Sequence, residues 1–174
     1  MAEFMPAFTA TLVHEGFPGY AIDNNGAQVV AGINRGFWPG WTGWPLIDFL
    51  TANGLGRAEV NAQLKKDTKL ISEVQDFYLR NFWPVMFNDI HDQGVANWLF
   101  DHGVNMGIKQ AVRFVQRAVG TDDDGRLGPR TMLAINAANG PALVKSCHDQ
   151  AVLFYRELHR QDPVKYPACM EERA

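Results

Sequence analysis

The chain has 174 residues, 47% of them apolar, and a formal net charge of −3. A chain of that length and apolarity can bury a core, which excludes a disordered protein. The slight acidity argues against a general nucleic-acid binder, which is ordinarily basic. Taken in chain order, residues 6–14 are predicted helical, with Phe8, Leu12 and Val13 forming the apolar stripe. Glu15-Gly16 stops that pattern, and glycine suits a helix end. Residues 16–36 are rich in Gly and Asn and read as irregular chain or a short hairpin, with "QVVAGI" as the strand-like piece. Residues 37–45 form a Trp/Gly/Pro loop. "PLIDFLTAN" is a short helix closing at Asn53-Gly54.

The stretch "GRAEVNAQLKKDTKLISEVQDFYLRNFW" has Val60, Leu64, Leu70, Ile71, Val74, Phe77 and Tyr78 at three- and four-residue spacing. It is long for one globular helix and is expected to be one or two, interrupted or restarted at Pro84. "GVANWLFDHGVNMGIKQAVRFVQRAVG" reads as two helical runs with a break near Asn105-Met106-Gly107. "TDDDGRLGPRTMLAINAAN" reads as a turn and a helix, and "PALVKSCHDQAVLFYRELHRQ" as a last long amphipathic helix. The expected class is mostly α with a small β-hairpin near the N-terminus. No fixed-period repeat or low-complexity linker is present.

The opening "MAEFMPAFTATLVHEG" lacks the basic and apolar regions of an ordinary secretory signal. No apolar run approaches the roughly 20 residues of a membrane span. A protein cytoplasmic when made, and delivered by other means if it acts outside, is the expectation. The two cysteines, Cys147 and Cys169, form no CxxC, so neither a zinc site nor a disulfide framework is expected. Cys147 lies in a helical pattern and is expected buried, and Cys169 exposed. "DDDGRLG" lacks the alternating ligands and distant glutamate of a calcium loop and reads as a turn held by Asp124. His14, His102 and His148 show no metal-ligand spacing, and Ser146 and Cys147 belong to no visible triad. No metal or cofactor is expected.

Two carboxylates stand out. Glu15 follows the first predicted helix, and Asp23 falls in the glycine-rich stretch after it. Cleaving a glycosidic bond requires a protonated acid beside the leaving oxygen and a second group that stabilises an oxocarbenium-like centre or activates water. A carboxyl does this near neutral pH only where burial or a like charge raises its pKa. Two acids at this spacing are common by chance, so their identities alone decide little. Trp38, Trp41 and Trp44 can be read as stacking platforms for sugar rings or as half-buried loop anchors. The interspersed Gly and Pro favour an exposed loop. Asn105, beside a glycine bend, is expected to bond backbone.

Four blocks occurring in one order carry a resemblance. The first runs from "EGFPGY" through Asp23 and Gly26 to Gly32-Ile33; the second is "FYLRNFWPV", through Tyr78, Phe82 and Trp83. The third is "LFDHGVNMGIKQAVRFVQRAVG", through Asp101, Val104, Asn105, Gly107, Ala111, Gln116, Ala118 and Gly120. The fourth is "DDDGRLGPRTMLAIN", through Asp124, Gly125, Gly128 and Thr131. Together they resemble the glycoside hydrolase 108 family of lysozyme-like N-acetylmuramidases with its C-terminal peptidoglycan-binding segment. Some members of that family are labelled secretion activators.

The resemblance implies a lysozyme-like helical fold, with residues 1–90 as the hydrolase segment and 91–174 as the peptidoglycan-binding segment, packed together as one compact unit. It implies bacterial peptidoglycan as partner and cleavage of its β-1,4 bond between N-acetylmuramic acid and N-acetylglucosamine, after holin-type or secretion-associated release. Glu15 stands at the family's acid position and Asp23 is a neighbouring acid in the loop. Tyr20, Trp38, Trp41 and Trp44 are the expected glycan contacts. The chain departs from the pattern at "EGFPGY" in place of E-G-G-Y, at Ala27 for the second glycine, at Asn24 for a usual aspartate, and at Val29 for the threonine. Valine cannot hold a water or bond an acid. A weakened hydrolase that binds peptidoglycan, or a secretion or lysis accessory protein with a protein partner, are the alternatives.

Overall fold

The computed structural model describes residues 1–14, 17 and 19–163, and side chains throughout these except at positions 13 and 14. In chain order the elements are α1 (Phe4–His14), β1 (Tyr20–Ile22), β2 (Gln28–Val30), β3 (Ile33–Asn34), α2 (Trp44–Ala52), α3 (Arg57–Leu64) and α4 (Thr68–Phe82). A 3-10 turn at Val85–Asp89 follows, then α5 (Gln93–Met106), α6 (Ile108–Val119), α7 (Pro129–Ala137) and α8 (Gly140–Gln161). The mostly α class with one small β element near the N-terminus is borne out. The chain divides into two compact units, residues 8–83 and residues 1–7 with 84–174.

Local chemistry explains where the helices start and stop. The long helical stretch breaks into α3 and α4 because Asp67 turns its carboxylate onto the backbone N–H of Leu70, at 2.9 Å, and caps α4. Glu59 reaches back to the Gly56 N–H at the start of α3, at 2.8 Å. Asp92 caps α5 through Val95 N–H and Asn139 caps α8 through Ala142 N–H. The break expected near Asn105-Met106-Gly107 falls at Gly107, whose φ of 88° is open to glycine.

In the unit of residues 8–83, the sheet is antiparallel in the order β1-β2-β3. Gln28–Val30 and Ile33–Asn34 are two strands, so "QVVAGI" is not one strand. Val30 pairs with Ile33, leaving Ala31-Gly32 as a two-residue turn with both residues at positive φ, 49° and 79°. That is the type I′ geometry that matches strand twist. Ala31 is strained there, and a buried hydrogen bond from the Tyr78 hydroxyl to its carbonyl, at 2.8 Å, holds it. β1 is fastened to α3: the Asn61 side chain accepts from Tyr20 N–H at 2.5 Å and donates to the Tyr20 carbonyl at 3.3 Å. Phe8, Leu12, Ile33, Ile47, Leu64, Leu70, Val74 and Tyr78 form the core of this unit.

In the other unit, α5, α6 and α8 pack around Leu99, Phe100, Ala111, Val112, Phe114, Val115, Leu143, Cys147 and Ala151. Each large apolar side chain so buried contributes about 1.5–3 kcal/mol. Gln116 is fully inside and fully used: its amide donates to Asp124 at 2.8 Å and to the Arg126 carbonyl at 2.9 Å, and its oxygen accepts from Gly125 N–H at 2.8 Å. The "DDDG" turn is thereby tied to α6, as a buried polar group requires. The Cys147 thiol is buried and pushed up to about 12, so it is an inert core group. Asn105 bonds the Asp101 carbonyl, one turn back, at 2.9 Å. Among the described residues no helix is long and apolar enough to cross a membrane. None of their His, Cys, Asp and Glu side chains group in threes as a metal site would.

Candidate functional site

Glu15 lies outside the described residues, as does Cys169. Of the described residues near it, α1 ends at His14, the Phe17 N–H donates to the Leu12 carbonyl at 3.2 Å, and β1 begins at Tyr20.

Asp23 closes the hairpin between β1 and β2. Its backbone N–H donates to the Ala27 carbonyl, and Gly26, at φ 82°, completes a three-residue loop. Its carboxylate accepts three hydrogen bonds: Oδ1 accepts from the N–H of Asn25 at 2.9 Å and of Ala27 at 2.8 Å, and Oδ2 from the Asn34 amide at 2.7 Å. Three donors favour the charged form, so the Ala27 N–H first, then Asn34, and last Asn25, hold Asp23 below the usual carboxylate range. Such a group stays ionised and organises the loop; it is no proton donor. Val29 pairs with Ala21 on β1 and Asn34 on β3, and cross-strand partners share a sheet face. Val29 therefore stands beside the Asp23–Asn34 bond.

The bonding around Asp23 predicts how it responds to acid. A depressed folded pKa gives stability that is present above the unfolded carboxylate value, about 3.9, and lost as pH falls through the lower folded value. In Asp23→Asn the new amide would face the Asn34 amide, donor to donor. Asn34 cannot turn over without giving up its oxygen's bond to Gly36 N–H. The variant is expected to melt lower at neutral pH and to lose less stability between about pH 4 and pH 2 than the wild type. Equal acid slopes in thermal melts of the two would show that the carboxylate does not hold the hairpin.

The three tryptophans separate into different roles. Trp44 is not in a loop. It opens α2 with Pro45 behind it, is 2% exposed, and donates its indole N–H to the Trp38 carbonyl at 2.7 Å. Arg35, forked onto Asp48 and bonded to Gln28, lies 5.2 Å from its ring centroid. Trp41 is also buried, edge-on to Trp44 with centroids 5.0 Å apart, and its ring occupies the space a side chain on Gly43 would take. Trp44 thus presents no ring face to a ligand, and of the three tryptophans only Trp38 leaves much of its ring exposed. Trp38 keeps 38% of its surface exposed and stands edge-on to Phe77, centroids 4.9 Å apart. Tyr20 is buried, with its hydroxyl accepting from Gln28 at 3.4 Å, so it belongs to the frame rather than to an open surface.

Trp38 and Trp41 form one side of an open cleft of about 460 Å³, within the range of small-molecule sites. Phe77 belongs to the lining, and Glu73, Asp76, Arg80 and Asn81 of α4 complete it. Positions 73, 76, 77, 80 and 81 share one helical face by spacing alone. No local sequence pattern places the tryptophan loop over that face.

A family model described as Glycosyl hydrolase 108 matches residues 8–107, more than half of the chain. The chain belongs to the glycosyl hydrolase 108 family. A second model, described as Predicted Peptidoglycan domain, matches residues 110–170 of this glycoside hydrolase. Among solved structures, that titled "Structure of Brucella abortus SagA" is 23% identical, covering 98% of this chain and 90% of its own, with a TM-score of 0.64. That likeness establishes a shared fold. No curated protein matches.

Proposed function

We propose that this family 108 hydrolase cuts the β-1,4 bond between N-acetylmuramic acid and N-acetylglucosamine in bacterial peptidoglycan. The observation that carries this reading is the pairing, in one chain, of a glycosyl hydrolase 108 match with a peptidoglycan-domain match. Glu15 stands at the family's acid position and protonates the leaving oxygen. The oxocarbenium-like centre that develops gains from nearby negative charge. Asp23, kept ionised by its three donors, supplies charge from the hairpin and keeps the loop in shape, with Trp38 stacking on a sugar ring. Release of reducing ends from purified sacculi tests the reading; sacculi left intact at any enzyme concentration would sink it.

Val29 favours a second reading, of a protein that retains glycan and cuts it poorly. Threonine and valine have nearly one shape, but only threonine can bond a water or the adjacent Asn34 and Asp23. Val29→Thr is expected to raise the rate of reducing-end release with little change in sacculus binding. An unchanged rate would mean that Val29 is not what limits the chemistry.

A further inference from the structure

The α4 wall of the cleft has no role in the account so far. Glu73, Asp76 and Arg80 stand about one helical turn apart along it, with Asn81 beside Arg80, in the cleft that the partly exposed Trp38 also lines. Their mixture is informative. An ammonium ligand would ask for acceptors alone and an anion for donors alone. Here two carboxylates accept, a guanidinium donates, and an amide can do both. Asn81 spends one N–H on the Phe77 carbonyl at 2.7 Å and keeps its oxygen for another partner. Asp76 and Arg80 pair at 3.7 Å, and Glu73 and Lys69 at 3.9 Å, long enough that Asp76 and Glu73 can each accept a further bond and Arg80 can donate one. The Trp41 indole N–H, in the opposite wall, is buried without an acceptor among the described residues. A wall of both signs facing an aromatic ring fits a neutral, hydroxyl-rich ring whose C–H face stacks on the indole.

We propose that this cleft is a saccharide subsite, in which Trp38 stacks on one sugar ring while Asp76, Glu73 and Asn81 bond its hydroxyl or acetamido groups. The assignment rests on the glycan-hydrolase reading for the identity of the sugar, but binding and cutting are separable. The Glu15→Gln protein, titrated with a soluble tetramer of β-1,4-linked N-acetylglucosamine, should show a change in tryptophan fluorescence. Loss of one neutral or charge-assisted hydrogen bond is expected to weaken that binding about fivefold or more in Asp76→Ala and again in Asn81→Ala. Trp38→Ala should lose more, but Trp38 also packs on Phe77, so the two exposed α4 changes carry the test. Their melting temperatures should stay at the parent value. Unchanged affinity in both α4 variants would overturn the subsite, even if wild-type protein digests sacculi. Loss of affinity in both, with sacculi left uncut by the wild type, would keep the subsite and remove the hydrolase reading. Displacement of the tetramer by lysine-rich peptide at comparable concentration would also overturn it, because the wall would then be selecting cations.

Discussion

Glu15→Gln is expected to lower the release of reducing ends from sacculi by at least about 10²–10⁴-fold, the usual worth of general acid–base assistance. The substitution keeps size and polarity and removes only the titrating proton, so thermal unfolding should be unchanged. Binding to sacculi should also survive, since retention of the glycan depends on aromatic and hydrogen-bonding contacts elsewhere. Asp23 cannot take over as the acid. Its two oxygens accept three hydrogen bonds, and they hold it ionised where a proton donor is required. Equal rates of muropeptide release by wild type and Glu15→Gln would remove Glu15 from the chemistry.

The second large effect concerns Trp44 and is one of stability. Trp44 is 2% exposed, and its indole N–H is used by the Trp38 carbonyl. Truncating a buried tryptophan to alanine costs about 3–5 kcal/mol through lost burial and the cavity left behind. Trp44→Ala also frees the carbonyl that seats the 38–43 loop, so Trp38 should become more mobile and glycan binding should fall as a consequence. Denaturant melts are expected to show a large loss of stability for Trp44→Ala and a smaller one for Trp38→Ala, with the order reversed when affinity is compared at equal folded fraction. A Trp44→Ala protein with an unchanged midpoint would place that ring outside the core.

The contrast among the tryptophans shows what was legible in sequence. Helix positions followed from apolar spacing, and the α5/α6 break from Gly107, because those signals are local. Pro45 marks the start of a helix in the sequence, and α2 begins one residue earlier, at Trp44. The three β-branched or apolar residues before Gly32 read as one strand. Ala31 bends at positive φ because Tyr78, 47 residues away in sequence, bonds its carbonyl, and such a partner is invisible to a local pattern. The same limit hid the α4 wall. Its polar face looks like any solvated helix until the tryptophan loop is folded over it. The grouping of the chain into compact units is also non-local: the units part between Trp83 and Pro84, with residues 1–7 grouped with the later segment. The family motifs were legible because each is a compact run of residues with a physical job. Gly32-Ile33 ends the turn and opens β3, buried Gln116 ties the exposed Asp124 turn to α6, and Tyr78 is the clamp on Ala31.

Cleavage of one defined bond of the glycan is the step proposed for this chain. Mass spectrometry of the soluble fragments from wild-type digests of purified sacculi, before and after borohydride reduction, tests it most directly. Muropeptides ending in reducible N-acetylmuramic acid, absent from Glu15→Gln digests, are the predicted result. Fragments ending in reducible N-acetylglucosamine, or no fragments at all from sacculi that the protein demonstrably binds, would contradict it.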